Sequence, residues 1–195
     1  MNNLLSGLNT NELTNIFNLF LHDTINLIWL GIGLFIAGVL EVFLWKTPPF
    51  QLLNFPIQTA WFGANKKWRG LVSLPLTMVV STYLLQIIEK FIFPTSTNWI
   101  LFSNFNFIFY GLSVGFIFNL SELPNSFIKR RLDIPPGDES NKFFYFIDHM
   151  DSTYGVLLLW YFFWQIPSHF IITGAIVAPL LFMAATWLRK LLGLK

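Results

Sequence analysis

The sequence predicts an all-α integral membrane protein with five transmembrane helices. Its N-terminus is expected outside, its C-terminus in the cytoplasm, and an amphipathic helix is expected on the membrane at the N-terminal end. Three observations carry this expectation. Of 195 residues, 54% are hydrophobic and only 11% charged, against roughly 25% charged in an ordinary soluble domain, so polar groups are too few to cover a soluble surface. The apolar residues gather into stretches of about 20, the length that crosses a bilayer. The lysines and arginines collect on one side of those stretches, as cytoplasmic segments do. The absence of cysteine excludes a disulfide scaffold, and a net charge of +2 gives no electrostatic reason to expect nucleic acid as a partner.

The spans are expected at residues 25–45, 71–92 and 99–120, and, after a polar interval, at 154–166 and 170–188, hinged at Pro167, Ser168 and His169. The fourth is short unless residues 143–147 join it, which draws Asp148 and Asp151 toward membrane depth. Ahead of the first span, residues 1–23 carry Leu4, Leu5, Leu8, Leu13, Ile16, Phe17 and Phe20 at roughly helical spacing and no basic residue. A secretory leader needs a basic leading region, so this segment is expected uncleaved, as an interfacial helix. The whole chain, 1–195, reads as a single membrane domain.

Eleven of the twelve basic residues lie in residues 46–70, in residues 121–153 or after the fifth span; Lys90 is the exception. Both long loops and the C-terminus are therefore expected in the cytoplasm, with the ionisable groups. The first loop ends Gly63-Ala64-Asn65-Lys66-Lys67-Trp68-Arg69-Gly70. Glycines let backbone amides approach an anion, a helix start adds partial positive charge, and Lys66 and Arg69 supply full charges suited to phosphate. The plainer alternative is a topology signal with an interfacial tryptophan. In the second loop, Lys129-Arg130-Arg131 follows Asn125 and Ser126, and Pro135, Pro136 and Gly137 end any helix begun there. A basic triplet also suits anionic lipid, and Asp133, Asp138 and Glu139 are expected to be solvated.

Asp148 and Asp151 stand three apart, so on a helix they share a face. Two carboxylates so placed suit Mg²⁺, which takes oxygen ligands and leaves room for substrate phosphates; the alternative is a pair capping a helix in the headgroup layer. His149 points away from that face. His22 and His169 lie across the membrane with no partner in sight. Gln86, Asn104 and Asn106 suit interhelical hydrogen bonds, and Glu41 is a weaker site candidate.

Taken in order, these segments resemble one family. Residues Gly63 to Gly70 resemble the Gly-x-x-Lys-Thr-Trp-Arg-Gly segment of the CDP-archaeol synthases. Ser126-Phe127-Ile128-Lys129-Arg130-Arg131-Leu132, with Pro136-Gly137, resembles that family's Ser-Phe-x-Lys-Arg-Arg segment, and Asp148-His149-Met150-Asp151 falls where the family has Asp-x-x-Asp. The phosphatidate cytidylyltransferases share a looser Ser…Lys-Arg…Asp-x-x-Asp arrangement. The resemblance implies condensation of CTP with an isoprenoid-ether lipid phosphate, giving a CDP-activated lipid and pyrophosphate, with Mg²⁺ as cofactor. It implies Asp148 and Asp151 as metal ligands and catalytic groups alongside Lys129 and Arg130. Lys66, Arg69, Asn125, Ser126, Gly63 and Gly70 are then the substrate-binding residues.

Lys67 departs from the family's threonine. The Pro-Gly-His-Gly-Gly run that precedes the aspartates in phosphatidate enzymes is absent, and their Lys-Asp step has no clean equivalent unless Asp133 or Asp138 substitutes. These departures favour the archaeol-type branch and leave the lipid open between archaetidic-acid-like and phosphatidate-like. A homo-oligomer is compatible with the sequence. The competing class is a non-catalytic membrane scaffold or transporter-like protein, against which stand the absence of a convincing internal repeat and spans nearly charge-free at their centres.

Overall fold

A bilayer offers no partner to backbone N–H and C=O groups, so an apolar chain satisfies them along helices. The computed structural model of the chain, which describes residues 10–92, 99–138 and 140–193, is built in this way. In order it comprises α1 (Thr10–Leu44), α2 (Pro48–Leu52), α3 (Thr59–Phe62), α4 (Trp68–Ile92), a single 3-10 turn (Phe102–Asn104), α5 (Phe107–Arg131), α6 (Lys142–Phe162) and α7 (Ser168–Leu191). The five long helices close a ring: α1 packs on α4, α4 on α5, α5 on α6, α6 on α7, and α7 back on α1. Trp29 meets Glu89 while Glu41 meets Ser73, so α1 and α4 are antiparallel. Asp23 meets Thr173 and Gly38 lies beside Arg189, so α1 and α7 run parallel. One end of the ring thereby collects every described lysine and arginine except Lys90.

Leu30, Met78, Tyr110 and Val114 are completely buried at the centre of the ring. The tightest approach is between α4 and α5, where Gly111 and Gly115, four residues apart, face the backbone of Val79 and Pro75. A Cβ at either glycine would lie 2.5 Å from backbone atoms. This is the small-xxx-small device of membrane helix pairs. Outside, Val80, Phe109, Phe116, Leu158 and Ile176 are exposed, the reverse of a water-soluble surface and compatible with an integral membrane protein.

Four helices among the described residues are long and apolar enough to cross a membrane: Asn11–Leu44 of α1, together with α4, α5 and α7. Five were expected. The missing one is α6, which begins at Lys142 and so includes residues 143–147, but carries Lys142, Asp148, His149 and Asp151 along its first half. The expected third span is also displaced. Its helix begins at Phe107 rather than residue 99 because the Asn106 side chain accepts the N–H groups of Ile108 and Phe109. It then runs on to Arg131, so the expected loop 121–153 is largely helical and only residues 132–141 connect α5 to α6.

Residues 10–23 do not form a separate interfacial helix. No proline or glycine interrupts them, and α1 continues unbroken to Leu44. Residues 1–9, the connection 93–98, Glu139 and residues 194–195 lie outside the described residues.

Ahead of α5, the turn is held by side chains of α4. Glu89, 2% exposed, accepts the Trp29 indole N–H at 2.7 Å and the backbone N–H groups of Phe102 and Ser103 at 2.7 and 2.8 Å. Gln86 donates to the carbonyls of Phe102 and Phe105, and Asn104 accepts the Leu101 N–H. Replacing Glu89 with alanine would take one acceptor from three N–H donors, of which that of Phe102 is fully buried, and a buried donor left unsatisfied costs about 1–3 kcal/mol. The E89A variant should therefore lose several degrees of thermal stability in detergent, and E89Q, which keeps an acceptor, should lose less. An unchanged E89A melting curve would show that this carboxylate does not hold the turn.

Candidate active site

Helical spacing lines up Glu122, Asn125, Ser126 and Lys129 on one face of the last turns of α5, and puts Asp148, Asp151 and Ser152 on the facing turns of α6. The helices run antiparallel and come together at Gly155, whose missing side chain leaves room for Ser121. The Asn125 amide donates to Asp148 at 2.7 Å and to Asp151 at 2.9 Å. The Lys129 ammonium donates to both Asp148 oxygens, at 2.7 and 3.1 Å. Asp151 also accepts its neighbour's N–H, Ser152, at 2.6 Å, and the Ser152 hydroxyl donates to Glu122 at 2.8 Å. Lys66, from the first long loop, completes the web by donating to the other oxygen of Glu122.

Burial explains why the web is so fully connected. Asn125, Ser126 and Lys129 are 7%, 7% and 5% exposed, and a buried ammonium without a carboxylate partner is expensive. Asp148 meets that need, yet its side chain is still 36% exposed. Each carboxylate has about four lone-pair sites, and the bonds above leave some free on both aspartates. Mg²⁺ is commonly held by one or two carboxylates, with the rest of its shell from water and substrate phosphates; Asp148 and Asp151 fit that description. Among the described residues no group of three His, Asp or Glu side chains could hold a metal, so a cation here would rest on these two.

The first loop reaches the same end of the ring by folding back on itself. Ile57 N–H donates to the Lys66 carbonyl, Trp68 N–H to Phe55 and Arg69 N–H to Leu53. This holds Lys66 inward, while Lys67 bonds the Asn54 side chain at 2.8 Å. Arg69 stacks over the Trp45 ring at 4.3 Å; Trp45 donates to Ser73, and Ser73 donates to Glu41 at 2.6 Å. The Gly70 carbonyl accepts the Asn119 amide at 2.8 Å. Gly63 adopts φ +87°, and a Cβ there would lie 2.9 Å from Pro136 and 3.3 Å from Nε of Arg130. There the first loop touches Pro136, in the connection between α5 and α6.

Arg130 stands apart from the aspartates: its guanidinium donates to the Ile134 carbonyl and packs against Gly63.

Beside the web lies a cavity of about 980 Å³ walled by all five long helices and the first loop. Lys66, Lys67, Arg69, Gly70, Glu41, Glu122 and Arg189 line it; Asp148, Asp151 and Lys129 do not. Lys66 and Glu122 belong to both cavity and web, and join them. Glu122, Ser152, Asn119 and Arg189 carry no role in the sequence reading. Glu122 was legible in principle, three residues before Asn125 and seven before Lys129, once that stretch is read as helix.

Two histidine expectations need correction. His169 bonds Asp23 at 2.8 Å and His22 lies 3.9 Å from the same carboxylate, so both have partners. They lie at the far end, where Asp23 and Thr173 also meet. His149 bonds the Tyr145 carbonyl of its own helix. Asp138 accepts the Ser140 backbone N–H, which holds its carboxyl below the ordinary range.

No curated protein and no solved structure matches the chain. The sequence profile of the CarS-like CDP-archaeol synthases matches residues 16–195, nearly the whole chain, and the protein belongs to that family.

Proposed function

We propose that this protein is a CTP-dependent cytidylyltransferase that converts a membrane lipid phosphate, archaetidic-acid-like or phosphatidate-like, into a CDP-activated lipid with release of pyrophosphate. The family suggests the reaction class. The observation that carries the reading is the web itself: two adjacent carboxylates, a buried lysine and a buried amide, joined through Glu122 and Lys66 to a large cavity.

In this reaction an oxygen of the lipid phosphate bonds to the α-phosphorus of CTP while the α–β phosphoanhydride bond breaks and pyrophosphate leaves. The second pKa of a phosphate monoester is about 6, so the nucleophile is already ionised and needs no strong base. The barrier lies in bringing two polyanions together in line, which fixed cations lower by positioning and charge stabilisation. Mg²⁺ held by Asp148 and Asp151 would supply neutralisation of the triphosphate. Lys129 acts beside it, its ammonium fixed by Asp148, and Asn125 is a positioning residue that sets the spacing of both aspartates. Ser126 lies on the same helical face, available to donate to a phosphate oxygen. Lys66 and Arg69 reach the substrates from the first loop, while Arg130 and Gly63 hold the two loops together.

The same reading makes α6 a span as well, the fourth of five in chain order, with the N-terminus outside and the site at the cytoplasmic face of the membrane, where the positive-inside bias assigns the basic end. A carboxylate costs about 2.5–3.5 kcal/mol on insertion scales, and the bonds from Asn125 and Lys129 offset it for Asp148.

Two outcomes test this reading. Asp148→Asn and Asp151→Asn should each cut CTP- and Mg²⁺-dependent pyrophosphate release by at least about 100-fold, roughly the scale of removing one positioned charge-stabilising group, with membrane insertion intact. Full activity in either variant would remove the metal assignment. Gly63→Ala forces a side chain into a left-handed backbone at a cost of about 1 kcal/mol or more and pushes the loops apart. Turnover should fall while the melting temperature in detergent moves by only a few degrees; unchanged turnover would show that the contact between loops is not required.

A further inference from the structure

The cavity has two characters along its length. At the basic end its wall carries Lys66, Lys67, Arg69 and Arg189 against Glu41 and Glu122, four cations to two carboxylates. From there it descends α1 from Glu41 past Gly38, Leu34 and Gly31 to Leu27, with Val156 and Trp160 opposite. At 1.5 Å per residue the fourteen steps along α1 from Glu41 to Leu27 span about 21 Å, roughly two-thirds of a hydrocarbon core about 30 Å thick. Polar atoms of a nucleotide would lose their hydrogen bonds in that depth, whereas a hydrocarbon chain would not.

Arg189 is the cation left without a task. Lys66 is taken by Glu122 and Lys67 by Asn54, and Arg69 stacks on Trp45. The buried Nε of Arg189 donates no hydrogen bond within the protein. Its guanidinium lies over Gly38, where a Cβ would sit 3.4 Å from Nη1, so the glycine makes room for it at the cavity wall. Arg69 and Arg189 both lie close enough to Glu41 to act on it electrostatically, so the two guanidinium groups share one end of the cavity wall. About two turns below, Gly31 lines the shaft and a Cβ there would meet nothing within 4 Å. The bore at that depth is set by the missing side chain.

We propose that this cavity is the lipid-phosphate subsite. Arg189, with Arg69, takes the phosphate at the mouth, and the shaft past Gly31 takes a hydrocarbon chain, Gly31 fixing how bulky a chain it admits. The substrate class is an amphiphile with a monoester phosphate, whose charge of about −1.5 to −2 matches the cationic excess at the mouth. The inference rests on the cytidylyltransferase reading and deepens it: the nucleotide goes to the aspartates and the lipid to the cavity, and the two meet across Glu122 and Lys66.

The test measures binding, so that it does not depend on turnover. The full chain, purified in detergent, is titrated with a long-chain dialkylglycerol phosphate, the same lipid without phosphate, an octyl-chain analogue with phosphate, and CTP with Mg²⁺, using native mass spectrometry. Arg189→Gln should weaken the long-chain phosphate at least about 10-fold, the scale of losing one bidentate charge-assisted contact, toward the affinity of the neutral lipid, with CTP binding unchanged; Arg189→Lys should recover part of the loss. Gly31→Phe should weaken the long-chain phosphate by a similar factor yet leave the octyl analogue nearly as before, which also shows that the variant is folded.

Wild-type affinity for the long-chain phosphate in both variants, or loss of CTP binding in their place, overturns the proposal. Binding that follows this pattern in a protein that releases no pyrophosphate from CTP would keep the subsite and discard the cytidylyltransferase reading.

Discussion

The constraint on which the structure depends is that ionised side chains set into an apolar ring must satisfy one another. Only 11% of the residues are charged, and the helices offer little water to the groups between them. The Asn125 amide answers this at the basic end by donating one hydrogen to each aspartate, so that two like charges three residues apart are held by a neutral group between them. Lys129 then balances Asp148, and Lys66 balances Glu122. Take the amide away and the carboxylates repel across α6; take the lysine away and one of them has no counter-charge.

The two ends of the ring use the same device to different effect. At the far end, Glu89 gives its oxygens to three N–H donors and is 2% exposed, and Asp23 is closed over by His169 and Thr173 at 1%. These carboxylates are latches: they are closed off from solvent, and their bonds go to the protein itself. Asp148, by contrast, keeps 36% of its side chain open. A carboxylate that is paired and still accessible can accept a ligand without first breaking a structural bond, and that difference in exposure, more than the presence of acid residues, separates the candidate site from the scaffold.

How much of this the sequence disclosed follows from what hydropathy can report. Spans two and five were legible because α4 and α7 are apolar along most of their length and carry their charged residues near their ends. The third was misplaced at both ends for one reason: hydropathy measures the medium, and helices end where backbone bonds end. Asn106 starts α5 eight residues late, and nothing stops it at Ser121, so a segment read as loop carries Glu122, Asn125, Ser126 and Lys129 as one helical face. The same error hid Glu122, which only the helical register connects to its neighbours. Asp148 and Asp151 were found because a pair three apart declares a shared face whatever surrounds it. Arg189 was out of reach, because its significance comes from Gly38 on a helix more than a hundred residues earlier.

Glu122 and Lys66 give the arrangement its logic. A reaction between two polyanions needs cations on both, yet a single continuous cationic pocket would let either substrate occupy the other's place. Here the paired charge of Lys66 and Glu122 stands between the aspartate web and the cavity, belonging to both. A nearly neutral pair is a poor site for either phosphate and so divides the basic end into two regions. Its ammonium still lies within reach of whatever anion crosses between them. On the proposed reading, that crossing is where the lipid phosphate meets the α-phosphoryl group. The first loop matters to the chemistry because it folds back through the Ile57 and Arg69 backbone bonds and delivers Lys66 to that point, while Gly63 seats the loop against Arg130 and Pro136 so that the delivery is fixed.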